Sequence, residues 1–160
     1  MPKSFLNKIK HNILLIFLVL IVAACATISS ISMESDKALR LLQFSAVESL
    51  PAGKRKTSEN ARTFYSNYFV PRGRPQFWRE IKKKTKLRYY ATITILGDQR
   101  PYTIEFTVFK EKAYKDSAGV ISYSEVGRSE PAAKAIMLYF QKNLEKSLKD
   151  RNVIDDFRVF

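Results

Sequence analysis

The chain has 160 residues, of which 46% are hydrophobic and 12% aromatic, and its formal net charge is +13. That apolar content is sufficient for the core of one domain and argues against disorder. Because His11 is the only histidine and Cys25 the only cysteine, we expect no His/Cys zinc site, no nucleophile activated by an imidazole, no cofactor and no enzymatic activity.

The N-terminal 24 residues have the order of a secretory signal peptide. Three lysines and no acidic residue lie within the first ten positions, and a continuous apolar run follows from Ile13 to Val22. Ala23 and Ala24 supply the small residues that a signal peptidase requires at its cleavage site. The sequence therefore predicts a signal peptide over residues 1–24.

The residues that end this segment, 22–25 (VAAC), resemble the lipobox of bacterial lipoproteins. The resemblance implies cleavage before Cys25 and attachment of lipid to its thiol, so that the membrane is the first partner of the chain. Ala26 and Thr27 differ from the Asp that retains enterobacterial lipoproteins at the inner membrane, which favours the outer membrane. The alternative is an uncleaved anchor, but the apolar run is shorter than the roughly 20 residues of a membrane-spanning helix.

Residues 25–35 are interpreted as the lipidated cysteine and a Ser-rich tether, and residues 36–160 as a single α+β domain. Ser35 is predicted to cap a helix running from Asp36 to about Ser49. The aromatic-rich segment Ala61–Val70 alternates well enough to form a strand.

The clearest pattern in the chain is a β-hairpin. Apolar residues alternate from Leu87 to Leu96 and again from Tyr102 to Val108, and Gly97–Pro101 between them has the composition of a turn. Two such runs around a turn predict an antiparallel hairpin.

The remainder is predicted to form a polar loop and a helix. The loop covers Glu111–Arg128, with a possible short strand over residues 119–123. Ser129 is predicted to cap a helix that ends at residues 150–152, followed by a strand or tail over Val153–Phe160. The apolar stripe of this helix is predicted to pack on the hairpin. It consists of Ala133, Ile136, Met137, Phe140, Leu144 and Leu148.

These elements predict an α+β fold of order α-β-β-β-α, in which an antiparallel sheet of three or more strands is covered by helices on one face. Segments 86–110 and 130–148 resemble the BamC-type helix-grip lipoproteins of the outer-membrane barrel-assembly machinery. The resemblance implies a helix-grip-like fold and a place in outer-membrane or secretion assembly, without catalytic residues.

Positive charge is concentrated in short runs. One is Lys54–Lys56, and three arginines at positions 72, 74 and 79 precede a second run. We call this second run the basic cluster, and it consists of Lys82, Lys83, Lys84, Lys86 and Arg88. Such a cluster attracts polyanions and anionic lipid headgroups. The alternative is a set of solvated side chains that only increase solubility.

The leading hypothesis is a lipid-anchored, non-catalytic binding or scaffold module of the cell envelope, with an envelope protein complex as its partner. The alternative is binding of an anionic lipid, polysaccharide or nucleic acid through the basic cluster. A third hypothesis, an enzyme that uses carboxylates such as Glu105 or Asp116, is disfavoured because both residues have a simpler explanation as solvated side chains.

Overall fold

The structure, a computed structural model, describes residues 30–81 and 84–155, and the side chains up to Lys149. Within these ranges the chain forms eight strands, two α-helices and one 3-10 helix. In chain order they are β1 (Ile31–Ser35), α1 (Leu39–Glu48), β2 (Lys54–Thr57), β3 (Thr63–Ser66), β4 (Phe69–Val70), the 3-10 helix (Pro75–Phe77), β5 (Arg79–Glu80), β6 (Leu87–Leu96), β7 (Tyr102–Lys115), β8 (Ile121–Arg128) and α2 (Glu130–Asp155).

The strands form one antiparallel, open sheet around the long strand β7. Strand β6 runs along one side of β7 in continuous register from Leu87 opposite Lys112 to Leu96 opposite Thr103. Strands β1 and β8 lie end to end along the other side. Strands β3 and β4 likewise share the outer side of β6, with β2 beyond β3 and β5 beyond β4.

Both helices pack on the same face of the sheet and enclose the core. The alternating residues predicted for the hairpin face the helices, and Ile93 and Phe106 are fully buried. Phe140 of α2 is also fully buried, and its ring meets that of Phe106 edge to face at 5.3 Å. The α+β fold with helices on one face of an antiparallel sheet is therefore confirmed, as is the core position of the α2 stripe.

The N-terminal part of the domain differs from the prediction. Residues 31–35, assigned to the tether, form β1, because Ile31 and Met33 alternate with polar residues and pack against the core. Helix α1 begins at Leu39, not Asp36, and its N-cap residue is Ala38 without a side-chain bond. The predicted signal peptide and Cys25 lie outside the described residues.

The predicted polar loop Glu111–Arg128 is wrong, because β7 continues to Lys115 and β8 begins at Ile121. The short strand considered over residues 119–123 is present in part, as the start of β8. These strand ends carry few apolar residues since much of their surface is exposed. Only a short turn remains, in which Asp116 Oδ1 accepts a hydrogen bond from the Val120 N–H at 2.8 Å.

Three further elements differ from the prediction. Strand β2 was not predicted, and the strand predicted over residues 61–70 is divided into β3 and β4. Helix α2 continues to Asp155, so the first three residues of the predicted final strand or tail are helical, and residues 156–160 lie outside the described part.

Candidate functional site

The structure divides the basic cluster. Lys82 and Lys83 lie outside the described residues, and Lys84 and Lys86 are exposed. Arg88 instead lies in β6 on the helix-free face, where its side chain is only 20% exposed and its Nε donates to Glu111 Oε2 at 2.6 Å. Its charge is therefore neutralised within the domain.

Arg88 belongs to a row of side chains that crosses the helix-free face of the sheet. Each member contacts the next through a ring face, a ring edge or a guanidinium group. We call this row the aromatic–arginine face, and it consists of Tyr123, Arg88, Tyr68, Arg55, Tyr90, Phe109 and Arg128.

Arg88 is held between two tyrosine rings. Its guanidinium carbon lies 3.7 Å from the centre of the Tyr68 ring and 3.5 Å from that of Tyr123. A guanidinium over a ring face is attracted by the ring quadrupole, and the planar group stacks well. The side chain is therefore fixed in direction as well as paired in charge.

Arg55 is the open cation of the row. Its guanidinium carbon lies 4.5 Å from the centre of the Tyr68 ring and 5.5 Å from that of Tyr90, and its Nη1 donates to Tyr68 Oη at 2.8 Å. Among the described residues no carboxylate oxygen lies within 4.0 Å of it. A guanidinium has five N–H donors, and Arg55 is exposed and forms one hydrogen bond among the described residues, so donors remain for a ligand.

The second half of the row is a stack of rings. Tyr90 and Phe109, on neighbouring strands, stack with centroids 4.7 Å apart and an interplanar angle of 13°. Arg128 lies 5.2 Å from the Phe109 ring. Tyr68 meets Tyr90 edge to face at 6.0 Å, which joins the stack to the arginine pair.

An interruption between β3 and β4 places Tyr68 on this face. Side chains alternate in a regular strand, so Tyr68 would otherwise lie on the core side with Phe64 and Ser66, which are buried. Instead Phe69 enters the core, and the Ser66 hydroxyl accepts the hydrogen bond of the Ala91 N–H at 2.8 Å. That hydroxyl replaces the backbone partner that the interruption removes.

A β-bulge places Arg128 at the other end of the row. Between Glu125 and Gly127, β8 has one residue more than the opposing part of β7. Gly127 adopts φ +144°, a conformation that favours glycine. The insertion shifts the alternation by one residue and brings Arg128 opposite Phe109.

Burial on the face affects one phenol group. It raises the pKa of Tyr90 above its ordinary value, and the carboxylates of Glu111 and Glu125 raise it further, whereas Arg55 lowers it. Tyr90 therefore remains neutral well above physiological pH, and its ring provides a stacking surface.

Tyr123 connects this face with the remaining basic residues. Its hydroxyl accepts a hydrogen bond from the Thr85 N–H at 3.1 Å and donates one to the Thr85 carbonyl at 3.0 Å. The segment that carries Lys84 and Lys86 is thereby fixed to the sheet.

The two carboxylates considered for catalysis lie far apart. Glu105 is half-buried in the middle of β7 opposite Thr94, and Asp116 closes the β7–β8 turn. Ten residues of extended strand, about 30 Å, separate Glu105 from the strand end at Lys115. Within residues 30–81 and 84–155, no group of three or more His, Cys, Asp or Glu residues is arranged to hold a metal ion.

Comparison with known proteins identified no relative: the chain matches no protein-family model, no curated protein sequence and no solved structure. The likeness to BamC-type lipoproteins therefore stays a prediction. No helix in the described ranges is both long and apolar enough to cross a membrane.

Proposed function

We propose that this protein is a lipid-anchored module of a bacterial cell envelope that binds a partner without catalysing a reaction, and that the aromatic–arginine face is its binding surface. The observation that carries the proposal is the row of fixed rings and guanidinium groups on the side of the sheet opposite both helices. Aromatic residues and arginine contribute most to protein interfaces. Side chains held in place before binding lose less entropy when the partner arrives.

The tether limits how far this face can lie from the membrane. Lipid on Cys25 would be separated from the first residue of β1, Ile31, by five residues. Six residue steps of extended chain reach about 20 Å at most. The domain would therefore work at the bilayer surface, and a partner on the face would be an envelope protein or a surface component, in the outer membrane by the sorting pattern.

Photo-crosslinking in cells tests the binding surface. A photoreactive phenylalanine in place of Tyr65, which lies on the helix-free face opposite Thr92, should give a discrete protein adduct. The same substitution at Tyr139, half-buried on α2, is the matched control and should give none. Equal adduct yields at both positions would contradict the assignment of the face.

The anchor is tested separately with Cys25→Ser. This variant should incorporate no radiolabelled palmitate and should accumulate as the uncleaved precursor, because the thiol is the lipid acceptor. Palmitate incorporation at the wild-type level would refute the lipoprotein proposal.

A second function, binding of an anionic ligand, is favoured by the open donors of Arg55. Lys56 lies beside it on β2, with its Nζ 4.4 Å from the centre of the Tyr65 ring. Phosphate binding weakens steeply with salt. Dissociation of the partner as the ionic strength is raised, together with weaker binding by Arg55→Gln, would indicate this function.

A further inference from the structure

The segment between β4 and β6 presents a large apolar side chain to solvent. Phe77 is 71% exposed, more than any other large hydrophobic residue in the described part of the chain. It is the last residue of the 3-10 helix, within the segment of residues 71–81 that we call the Phe77 loop. Single exposed apolar side chains are common on protein surfaces, so a contact outside the domain is inferred from how this ring is supported and from the charge around it.

The loop is rigidly supported. Trp78, the next residue, is buried and stacks on Phe69 with ring centroids 5.0 Å apart, and its Nε1 donates to the Gly73 carbonyl at 3.3 Å. The Phe77 N–H donates to the Arg74 carbonyl at 2.9 Å. Phe77 is therefore held outward by a buried neighbour.

Positive charge surrounds this ring in sequence. Segment 71–86 contains seven basic residues and one acidic residue, Glu80. The described basic side chains of the segment are all exposed, and none forms an ion pair within residues 30–81 and 84–149. They are Arg72, Arg74, Arg79, Lys84 and Lys86. The segment therefore combines an outward aromatic ring with basic charge that is unpaired within the described ranges, the combination found in proteins that dock on membrane surfaces.

We propose that the Phe77 loop docks on the anionic phospholipid surface of the membrane that carries the anchor, with Phe77 at the boundary of headgroups and acyl chains and the basic residues on lipid phosphates. Peripheral proteins combine apolar insertion and basic charge in this way. The proposal rests on the lipid anchor proposed above, whose tether of about 20 Å holds the domain within reach of the headgroups. The aromatic–arginine face then remains the surface for a partner.

A fluorescent probe at position 77 tests the docking in the full lipidated protein. The anchored thiol of Cys25 is blocked, so Phe77→Cys provides the single reactive cysteine for an environment-sensitive dye. Leu138→Cys is the matched control, because Leu138 is an apolar residue of α2 that is also exposed, by 54%. The protein is reconstituted in vesicles of equal parts phosphatidylglycerol and phosphatidylcholine, and in pure phosphatidylcholine.

We expect the dye at position 77 to shift to the blue and to be quenched by nitroxide-labelled lipids in the anionic vesicles, and both effects to be weak in pure phosphatidylcholine. The dye at position 138 should report water in both. Water-like emission at position 77 in anionic vesicles would overturn the proposal. So would equal quenching in both lipids, or burial of the dye only after an envelope protein is added.

The charge contribution is measured with Arg72→Gln, Arg74→Gln and Arg79→Gln combined. Each cation near an anionic surface contributes about fivefold, so the triple variant should lower the ratio of docked to undocked protein on the order of a hundredfold at low salt. The control changes three exposed lysines of α2, Lys134, Lys142 and Lys146, to Gln. It removes the same amount of charge and should have little effect. Equal effects of the two triple variants would overturn the role of the loop.

The mass of the N-terminal peptide from the same preparation distinguishes the two possible failures. A peptide without lipid on Cys25 would remove the anchor and the docking proposal together. A lipidated peptide with a solvated dye at position 77 would remove the docking proposal alone.

Discussion

Replacing Arg88 with Gln should destabilise the domain by about 3 kcal/mol. The change removes a charge-assisted bond to Glu111, whose side chain is only 15% exposed, and such bonds contribute about 1.5–3 kcal/mol. It also removes the stacking of a guanidinium on Tyr68 and Tyr123, each contact contributing about 0.5–1 kcal/mol. Arg88→Lys keeps the charge but not the planar group, and should recover part of the loss.

Urea denaturation followed by fluorescence measures this effect, because Trp78 is the only tryptophan and is buried. With a slope of about 2 kcal/mol per M, the midpoint should fall by about 1.5 M. Arg128→Gln is the matched control, since its nearest carboxylate, in Glu125, is 3.8 Å away and the pair is more exposed, and should cost less than about 1 kcal/mol. A double-mutant cycle of Arg88→Gln with Glu111→Gln should give a coupling of about 1–2 kcal/mol. A coupling of zero, with a cost no greater than that of the control, would refute the reasoning.

Three further predictions concern single side chains. Phe140→Ala should cost about 3–5 kcal/mol in the same urea assay, because a fully buried ring leaves a cavity; an unchanged midpoint would contradict the helix-on-sheet core. Tyr90→Phe should remove from the spectrophotometric titration the tyrosine that ionises above the ordinary pKa of about 10. Because the raised pKa favours the neutral form in the folded state, the stability it contributes is complete below pH 10 and is lost as pH rises through the folded pKa. Tyr90→Phe should therefore also reduce the loss of stability above pH 10. A dependence of stability on alkaline pH identical to that of the wild type would contradict the raised pKa of Tyr90. Tyr123→Phe should cost about 1–2 kcal/mol through the two hydrogen bonds to Thr85.

The core could be predicted from the sequence because its residues follow simple periods. The hairpin alternates from Leu87 to Leu96 and from Tyr102 to Val108, and the stripe of α2 repeats at helical spacing, so both faces could be assigned before the fold was known. Strands β2 and β8 were missed or misplaced because most of their residues are exposed, and exposure removes the apolar pattern on which the prediction depends. Strand β1 does alternate, but it contains only two apolar residues, Ile31 and Met33, among the serines assigned to the tether.

The aromatic–arginine face could not be predicted for a different reason. Its members come from four strands and from the segment between β3 and β4, and two of them reach the face only through irregularities of the backbone. Tyr68 depends on the interruption after Ser66, and Arg128 depends on the bulge at Gly127. A strand drawn continuously over residues 61–70 places Tyr68 on the wrong side, since a shift of one residue reverses the orientation of a side chain.

The Tyr123 hydroxyl connects the two surfaces, and Tyr123→Phe tests whether the connection matters for docking. The ring that stacks on Arg88 is retained in this variant, so the aromatic–arginine face should keep its arrangement. Without the hydroxyl, the hydrogen bonds to the Thr85 N–H and carbonyl are lost, and the segment of Lys84 and Lys86 is no longer fixed to the sheet. We therefore expect the dye at position 77 to be quenched less in anionic vesicles, while crosslinking at Tyr65 is unchanged. If crosslinking falls and quenching does not, Tyr123 orients Arg88 rather than the basic segment, and the two surfaces are independent.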